Sequence, residues 1–198
     1  KDSSKLPKII AVSKTFELDK ILPLINHGHL DFGENKVQEA IDKWTSIKTE
    51  RPDLKLHLIG KLQTNKVKKA LMIFDFIHSV DNEKLAEKIA KESEKLKKKI
   101  KIFIQINIGN ESQKTGIKKE ELKNFYTFCR DLNLDVQGLM CIPPLNDNSK
   151  SYFKNMFELN QSLGFKDLSM GMSSDYVDAA ECGATFLRIG SKIFGNRN

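Results

Sequence analysis

The sequence predicts an α/β protein built as a single (β/α)8 TIM barrel, because eight short β-like runs alternate with helix-length amphipathic segments along the chain. Such barrels typically take about 250 residues, so a chain of 198 residues requires short connections between elements. An open, doubly wound sheet is the alternative. The sequence lacks the Gly-x-Gly-x-x-Gly fingerprint of a dinucleotide-binding fold, which favours the closed barrel.

Each predicted strand is a short, mostly apolar run, and each predicted helix repeats apolar residues at helical spacing. The strands are predicted at residues 8–14, 29–33, 55–60, 76–80, 101–108, 136–142, 167–172 and 185–189. The helices are predicted at residues 18–26, 36–47, 66–74, 83–99, 119–132, 149–163 and 174–182. The eighth helix is predicted to be missing or minimal.

The composition places the chain among globular proteins, with 39% hydrophobic and 30% charged residues. No apolar run approaches the roughly 20 residues that span a bilayer, and residues 1–5 lack the apolar core of a signal peptide. The three cysteines, Cys129, Cys141 and Cys182, form no C-x-x-C pair, and an odd number suits a reducing compartment. We therefore expect a cytoplasmic protein with no membrane segment.

The formal net charge of +7 favours an anionic ligand or a polyanion such as RNA. Much of the excess lies in the predicted helix 83–99 and the residues after it, where lysines alternate with glutamates as on a solvated helical face. No aromatic platform or RNA-binding motif accompanies the charge, so binding to nucleic acid is disfavoured.

The residues that carry chemistry lie at the carboxyl ends of predicted strands, where barrels form their active sites. Lys14 ends the first strand, and turns rich in glycine and serine follow the seventh and eighth strands, at 169–174 and 188–195. Closure of a barrel makes its first and last strands neighbours. The sequence therefore predicts that the Lys14 amine lies beside both turns.

Both turns have the features of a phosphate site. Ser173 or Ser174 is predicted to cap the following helix, where free N–H groups and the helix dipole favour an anion, and Gly190 and Ser191 offer a second close approach of backbone. A lysine beside a phosphate site points to pyridoxal 5′-phosphate (PLP), whose aldehyde condenses with an amine. Arg188 ends the eighth predicted strand, and an arginine that faces the pyridine nitrogen of PLP leaves that nitrogen unprotonated; a surface ion pair is the alternative.

Seven segments together resemble the pyridoxal phosphate homeostasis protein family, whose members are cytosolic single-barrel proteins related to the barrel of alanine racemase. They are AVSKT at 11–15, FGENKVQE at 32–39, HLIGKLQTNK at 57–66, HSVD at 78–81, GLM at 138–140, LSMGMS at 168–173 and RIGSKIFG at 188–195. The resemblance implies one PLP-binding domain over residues 1–198, with the fold of the alanine racemase N-terminal domain and without that enzyme's C-terminal β domain.

The same resemblance implies specific roles for eight residues. Lys14 would be the Schiff-base lysine, Asn35 would lie close to the cofactor ring, and Arg188 would face its nitrogen. Ser173, Gly190 and Ser191 would hold the phosphate, and Met170 and Gly171 would line the same pocket. Lys114 matches a loop lysine that could hold a second aldehyde weakly, although a solvated loop charge is the favoured interpretation.

The function expected from these residues is a PLP carrier that takes part in intracellular vitamin B6 homeostasis, with little or no turnover. PLP and apo-enzymes that receive it are the expected partners, and a monomer is expected. A small amino-acid racemase is the alternative, but a second base is then needed, and the three tyrosines, Tyr126, Tyr152 and Tyr176, all lie in predicted helices.

No metal site is predicted. His57 and His78 each lie in a β-like run, and no second ligand follows either residue at a metal-binding spacing. A histidine in that position is more often a hydrogen-bonded residue of the core or rim.

Overall fold

Eight parallel strands form a closed barrel in which each strand pairs with the next and the eighth pairs with the first. The computed structural model describes residues 6–144 and 148–195. Residues 1–5, in which no targeting signal is predicted, lie outside this range. The closed barrel confirms the predicted fold class, and the open doubly wound alternative is wrong.

The strands are β1 (Lys8–Val12), β2 (Asp31–Glu34), β3 (Lys55–Leu58), β4 (Phe76–Val80), β5 (Lys101–Ile106), β6 (Asp135–Cys141), β7 (Asp167–Met172) and β8 (Phe186–Ile189). The helices are α1 (Leu18–Asn26), α2 (Val37–Glu50), α3 (Val67–Ile73), α4 (Glu83–Leu96), α5 (Leu122–Asp131), α6 (Ser149–Ser162), α7 (Tyr176–Glu181) and α8 (Ser191–Phe194). Turns of 3₁₀ helix precede α3 and α5, at Thr64–Lys66 and Lys119–Glu121.

The predicted elements are all present, and their differences lie at the ends. Helix α4 stops before the predicted residue 99 because Lys97 adopts a left-handed conformation with φ of 49°, and the N–H of Lys98 bonds back to Ser93 O. The eighth helix is a single turn, Ser191–Phe194, in agreement with the expected minimal helix. Among the helices that the structure describes, none has the length and apolar character to cross a bilayer.

Apolar side chains alternate along each strand between the barrel interior and the layer beneath the helices. The outer layer is the larger of the two, and it includes Trp44 of α2, which is fully buried and packs on Phe32 at 4.8 Å between ring centroids. The interior cluster is small and aromatic: its buried members are Ile10, Phe76, Phe103, Met140 and Phe186.

Two fully buried histidines complete the barrel interior. The His57 ring stacks on Phe76 and the His78 ring stacks on Phe103, each at 4.3 Å between centroids. The two histidines share a hydrogen bond of 3.0 Å between His57 Nδ1 and His78 Nε2. Both histidines are therefore hydrogen-bonded residues of the core. This confirms the expectation from the sequence that each lies in the core or at the rim of the barrel.

Burial lowers the pKa of both histidines, because the charged imidazolium loses its hydration inside the barrel. For His57 the hydrogen bond and charge of Asp31 oppose this shift without cancelling it. For His78 the positive charge of Arg188 adds to the effect of burial, and its pKa lies well below the usual range.

We expect the free energy of unfolding to fall as the pH is lowered from about 7 to 5 in urea titrations. The unfolded chain takes up protons on its histidines below pH ~6.5, whereas the lowered pKa values of the folded His57 and His78 move their protonation to lower pH, so acid favours unfolding. Each buried histidine adds at most about 1.4 kcal/mol per pH unit to the slope.

The variant His78→Gln should show a smaller slope than the wild type, whatever its stability at neutral pH. The control is His27→Gln, because His27 is exposed. Comparison of variants at each pH removes the contribution of the carboxyl groups. Equal slopes for all three proteins would contradict the prediction.

Candidate functional site

A cleft of about 650 Å³ lies at the carboxyl ends of the strands, where β1, β7 and β8 meet. Its walls combine polar and apolar groups, and residues from both ends of the chain contribute to it. The lining residues are Val12, Lys14, Phe16, Asn35, Ile59, Ile142, Met172, Ser173, Ser174, Arg188, Gly190, Ser191 and Gly195.

The pairing of β1 with β8 brings the two ends of the chain together at this cleft. Ile10 pairs with Arg188 and Ala11 with Ile189, so the residues that follow each strand leave the barrel side by side. Lys14 and Ser191 therefore line the same cleft, as the sequence predicts for a closed barrel.

The buried carboxylate of Glu34 anchors the loop that carries Lys14. Glu34 Oε1 accepts hydrogen bonds from Ser13 Oγ at 2.8 Å, Trp44 Nε1 at 2.9 Å and Lys43 Nζ at 3.1 Å. Lys43 Nζ also donates to Ser13 O at 2.9 Å. The residue directly before Lys14 is thus held by both its side chain and its carbonyl.

Burial raises the pKa of Glu34, and the hydrogen bonds and charge of Trp44, Lys43 and Ser13 oppose that shift without cancelling it. On the other side of Lys14, Thr15 has a φ of 67°, a conformation that costs free energy for a β-branched residue. Its N–H donates to Glu39 Oε1. Glu34 and Glu39 therefore fix the backbone on both sides of Lys14.

Arg188 lies on the floor of the cleft and is only 4% exposed. Its Nη1 donates to Ser169 Oγ at 2.7 Å, and its Nη2 donates to Cys141 O at 2.8 Å. Burial lowers its pKa, and the negative charge of Asp175 opposes the shift. A guanidinium nevertheless keeps its proton in proteins. The floor of the cleft therefore carries a positively charged group that donates hydrogen bonds and cannot accept them.

The opposite end of the cleft presents backbone N–H groups and hydroxyls. Ser173 Oγ accepts a hydrogen bond of 3.2 Å from the N–H of Gly190, which connects the turns after β7 and β8. Helix α8 begins at Ser191, and the first N–H groups of a helix have no acceptor within it. The ring of Phe194 packs on Phe16 at 5.1 Å and holds this turn against the Lys14 loop.

The predicted helix cap at Ser173 or Ser174 is wrong, because α7 begins at Tyr176 and its N-cap is Asp175. The side chain of Asp175 turns back instead and accepts a hydrogen bond of 2.7 Å from the N–H of Met172. Ser173 and Ser174 thus lie in a turn before the helix, where both still line the cleft.

Met170 and Gly171 are predicted to line the pocket, but the structure does not bring them to the cleft. Met170 is fully buried in the layer beneath the helices. Gly171 faces the same layer, since an added Cβ would lie 2.5 Å from Ala179 Cβ and 2.9 Å from Leu187 Cδ2. Met172 lines the cleft in their place.

A bulge in β7 explains this exchange. Ser169 pairs with Phe186 and Met172 pairs with Arg188, so three steps along β7 match two along β8. Gly171 has a φ of 90°, which glycine adopts readily, and it supplies the extra residue. The bulge turns Met172 to the side of Arg188, whereas strict alternation would send it beneath the helices.

Asn35 follows β2 and lines the cleft beside the Lys14 loop. Its backbone is closely packed, because an added Cβ at Gly60 would lie only 2.4 Å from Asn35 O. The side-chain atom Asn35 Oδ1 is buried and has no hydrogen-bond partner among the described residues. The cleft therefore contains a polar atom that a ligand could satisfy.

Lys114 lies apart from the lining residues of this cleft. Its Nζ forms an ion pair with Glu111 at 2.5 Å and donates to Pro143 O at 3.0 Å. Within the described residues, no cluster of three or more histidine, cysteine, aspartate or glutamate side chains could hold a metal ion.

Sequence reasoning found the polar groups of the cleft and missed its apolar walls. Val12, Ile59 and Ile142 are ordinary strand-end residues in the sequence, and only the closed barrel brings them together. The glycine in the strand-like segment LSMGMS was the available signal for Met172, because an isolated glycine in a strand often marks a bulge.

The family model for the N-terminal domain of alanine racemase matches residues 2–198. Among curated relatives, the pyridoxal phosphate homeostasis protein of Haemophilus influenzae is 37% identical, over 96% of this chain and 85% of the relative. The protein of that name from Aquifex aeolicus is 39% identical, over 96% of this chain and 87% of the relative.

Solved structures agree. The structure of PipY from Synechococcus elongatus with PLP bound has a TM-score of 0.88 and 35% identity, and covers 98% of this chain and 95% of PipY. An alanine racemase from Clostridium difficile has a TM-score of 0.76 at 16% identity and shows the fold alone; this chain covers 53% of it. The chain belongs to the pyridoxal phosphate homeostasis protein family, which has the barrel fold of the alanine racemase N-terminal domain.

We expect Gly171→Ala to lower the free energy of unfolding by about 2 kcal/mol or more, because it combines an unfavourable torsion with a steric clash. The matched control is Gly28→Ala. Gly28 has a φ of 94° and no atom within 4 Å of an added Cβ, so it reports the cost of the torsion alone.

Urea denaturation of both variants measures the two costs. The loss should be about 1 kcal/mol for Gly28→Ala and clearly larger for Gly171→Ala. Equal losses would mean that the contacts of Gly171 with α7 and β8 do not constrain the bulge.

Proposed function

We propose that this protein binds PLP in the cleft, holds it as a Schiff base on Lys14, and takes part in intracellular vitamin B6 homeostasis. The observation that carries the proposal is the convergence of Lys14, Arg188 and the turn at Gly190 on one cleft. The names of the curated relatives and the PLP-bound structure of PipY support it.

The groups in the cleft fit PLP. The lysine amine suits an aldehyde, the N–H groups and hydroxyls at the turns after β7 and β8 suit a phosphate, and the buried guanidinium suits a ring nitrogen. Asn35 Oδ1, which has no hydrogen-bond partner in the described part of the chain, lies beside the Lys14 loop, where it can accept from a ring hydroxyl. A bound PLP supplies a reactive aldehyde that condenses with amines.

The proposed roles follow from these positions. Ser173, Gly190 and Ser191 hold the phosphate, Asn35 contacts the ring, and Arg188 donates to its nitrogen. Met170 and Gly171 contribute indirectly, because both face the layer beneath the helices. The bulge at Gly171 turns the side chain of Met172 into the cleft.

Little or no turnover is the second part of the proposal. Among the described lining residues, Lys14 and Arg188 are the ionisable side chains, and a guanidinium does not exchange protons. Tyr176 lies against Lys192 at 5.8 Å from the ring centroid, and Tyr126 packs on Phe165. A racemase needs a second acid or base on the opposite face of the ring, and neither tyrosine is among the described residues that line the cleft.

A carrier of this kind releases PLP to apo-enzymes, and we place it in the cytoplasm as a monomer. The three thiols support a reducing compartment, since Cys129, Cys141 and Cys182 are all free. Burial raises the pKa of the Cys129 and Cys141 thiols to about 12. These two side chains therefore act as packing groups.

Wild-type protein mixed with PLP should acquire a visible absorption band, and borohydride should fix the label on the peptide that contains Lys14. Lys14→Ala should lose this band, because the Schiff base then has no amine in the cleft. Lys20→Ala is the control, since Lys20 is an exposed residue of α1. Label on a peptide that lacks Lys14, or a band that survives Lys14→Ala, would contradict the proposal.

Incubation of the PLP-loaded protein with L- and D-amino acids in deuterated water should give no steady exchange of the α-proton. The reason is the lack of a second acid or base among the described lining residues. Detection by proton NMR, with a racemase as the positive control, measures the rate. Steady exchange that depends on Lys14 would favour the racemase.

A further inference from the structure

A continuous series of hydrogen bonds runs through the barrel interior, from the cleft to the amino-terminal end of β2. Arg188 Nη1 donates to Ser169 Oγ at 2.7 Å, and Ser169 Oγ lies 2.9 Å from His78 Nδ1. His78 Nε2 lies 3.0 Å from His57 Nδ1, and His57 Nε2 lies 2.9 Å from Asp31 Oδ1. We call these five residues the barrel relay.

The chemistry of the two end groups determines the direction of every bond in the relay. A guanidinium can only donate, and an ionised carboxylate can only accept. Ser169 Oγ therefore accepts from Arg188 and donates to His78 Nδ1. His78 then donates from Nε2 to His57 Nδ1, and His57 donates from Nε2 to Asp31.

This arrangement requires both histidines to be neutral and to carry their proton on Nε2. The burial that lowers the pKa of His57 and His78 favours the same neutral forms. For Asp31, burial raises the pKa, but the hydrogen bond from His57, together with the nearby positive charge of Lys8, outweighs it and lowers the pKa overall. The carboxylate at the end of the relay is thus ionised, as an acceptor must be.

The relay connects a buried positive charge to a carboxylate. The two direct partners of Arg188, Ser169 Oγ and Cys141 O, are both uncharged. Asp175 acts on Arg188 through space, but its Oδ1 is bonded to the N–H of Met172. The carboxylate to which the hydrogen bonds of Arg188 lead is Asp31, whose side chain is 19% exposed.

We propose that Asp31, His57, His78 and Ser169 are positioning residues that hold the guanidinium of Arg188 in one orientation as a donor toward the cleft. Asp31 is the counter-charge of the relay, and it acts from the opposite end of the barrel. Polarised hydrogen bonds strengthen one another in a low-dielectric interior. The carboxylate therefore strengthens the bond between Ser169 and Arg188, and the guanidinium keeps its remaining N–H groups directed at a ligand.

The first test uses the free protein and needs no cofactor. Nitrogen-15 NMR of the histidine side chains should show His57 and His78 as neutral rings protonated at Nε2, and Ser169→Ala should shift the His78 Nδ1 signal. The exposed His27 serves as the internal reference. Protonation of either buried ring at Nδ1 at neutral pH would overturn the relay.

The second test rests on the proposed function and measures PLP affinity in Asp31→Asn. The asparagine keeps the shape and an oxygen that accepts from His57 Nε2, but it removes the charge. We expect binding to weaken by at least about fivefold, the lower end of typical couplings between distant sites, and the visible absorption maximum of bound PLP to shift. Asp31→Glu, which keeps the charge, should recover at least part of the affinity.

The control variant is Asp19→Asn, because Asp19 is an exposed carboxylate in the first turn of α1. It should bind PLP as the wild type does. If Asp31→Asn does not fold, Ser169→Ala breaks the relay beside Arg188 and should weaken binding and shift the absorption maximum in the same directions.

The outcomes separate the two proposals. Failure of the wild type to bind PLP would refute the proposed function, while the NMR experiment would still decide whether the relay exists. Normal binding and an unchanged spectrum in Asp31→Asn, alongside a wild type that binds PLP, would refute the role of Asp31 and leave the proposed function intact. Equal losses in Asp31→Asn and Asp31→Glu would indicate a role in shape alone.

Discussion

The pairing of β1 with β8 is the interaction on which the candidate site depends. It joins Ile10 to Arg188 and Ala11 to Ile189, and it places the loop after β1 against the turn after β8. The cleft has no local origin in the sequence, because the Lys14 amine and the turns after β7 and β8 lie at opposite ends of the chain. Closure of the sheet thus creates the barrel and the site in a single step.

The fold could be predicted from the sequence because a barrel repeats one local pattern eight times. Alternating strands and helices reveal this pattern without any long-range information. The polar part of the site could be predicted for a related reason: Lys14, Arg188 and Gly190 all lie at or just after strand ends, and every strand of a parallel barrel ends on the same face.

Three features could not be predicted, because each depends on contacts that a strand makes with its neighbours. The glycine at position 171 is a signal for a bulge, but the extent of the bulge and the side chain it turns to the cleft follow from the register of β7 against β8. The N-cap of α7 is Asp175, whose side chain bonds to the N–H of Met172 and not to the first turn of the helix. The order of the barrel relay requires distances between residues of five different strands, although the sequence did identify His57 and His78 as residues of the core or rim.

The bulge gives β7 two functions along one strand. Before Gly171, alternate side chains such as Ser169 point into the barrel interior. After Gly171 the alternation is shifted by one residue, so that Met172 lines the cleft. A barrel of this type could exchange the side chain offered to its ligand by moving one glycine along a strand, with no change in chain length. The side chain that β7 presents to the cleft is then set by the position of the bulge along the strand.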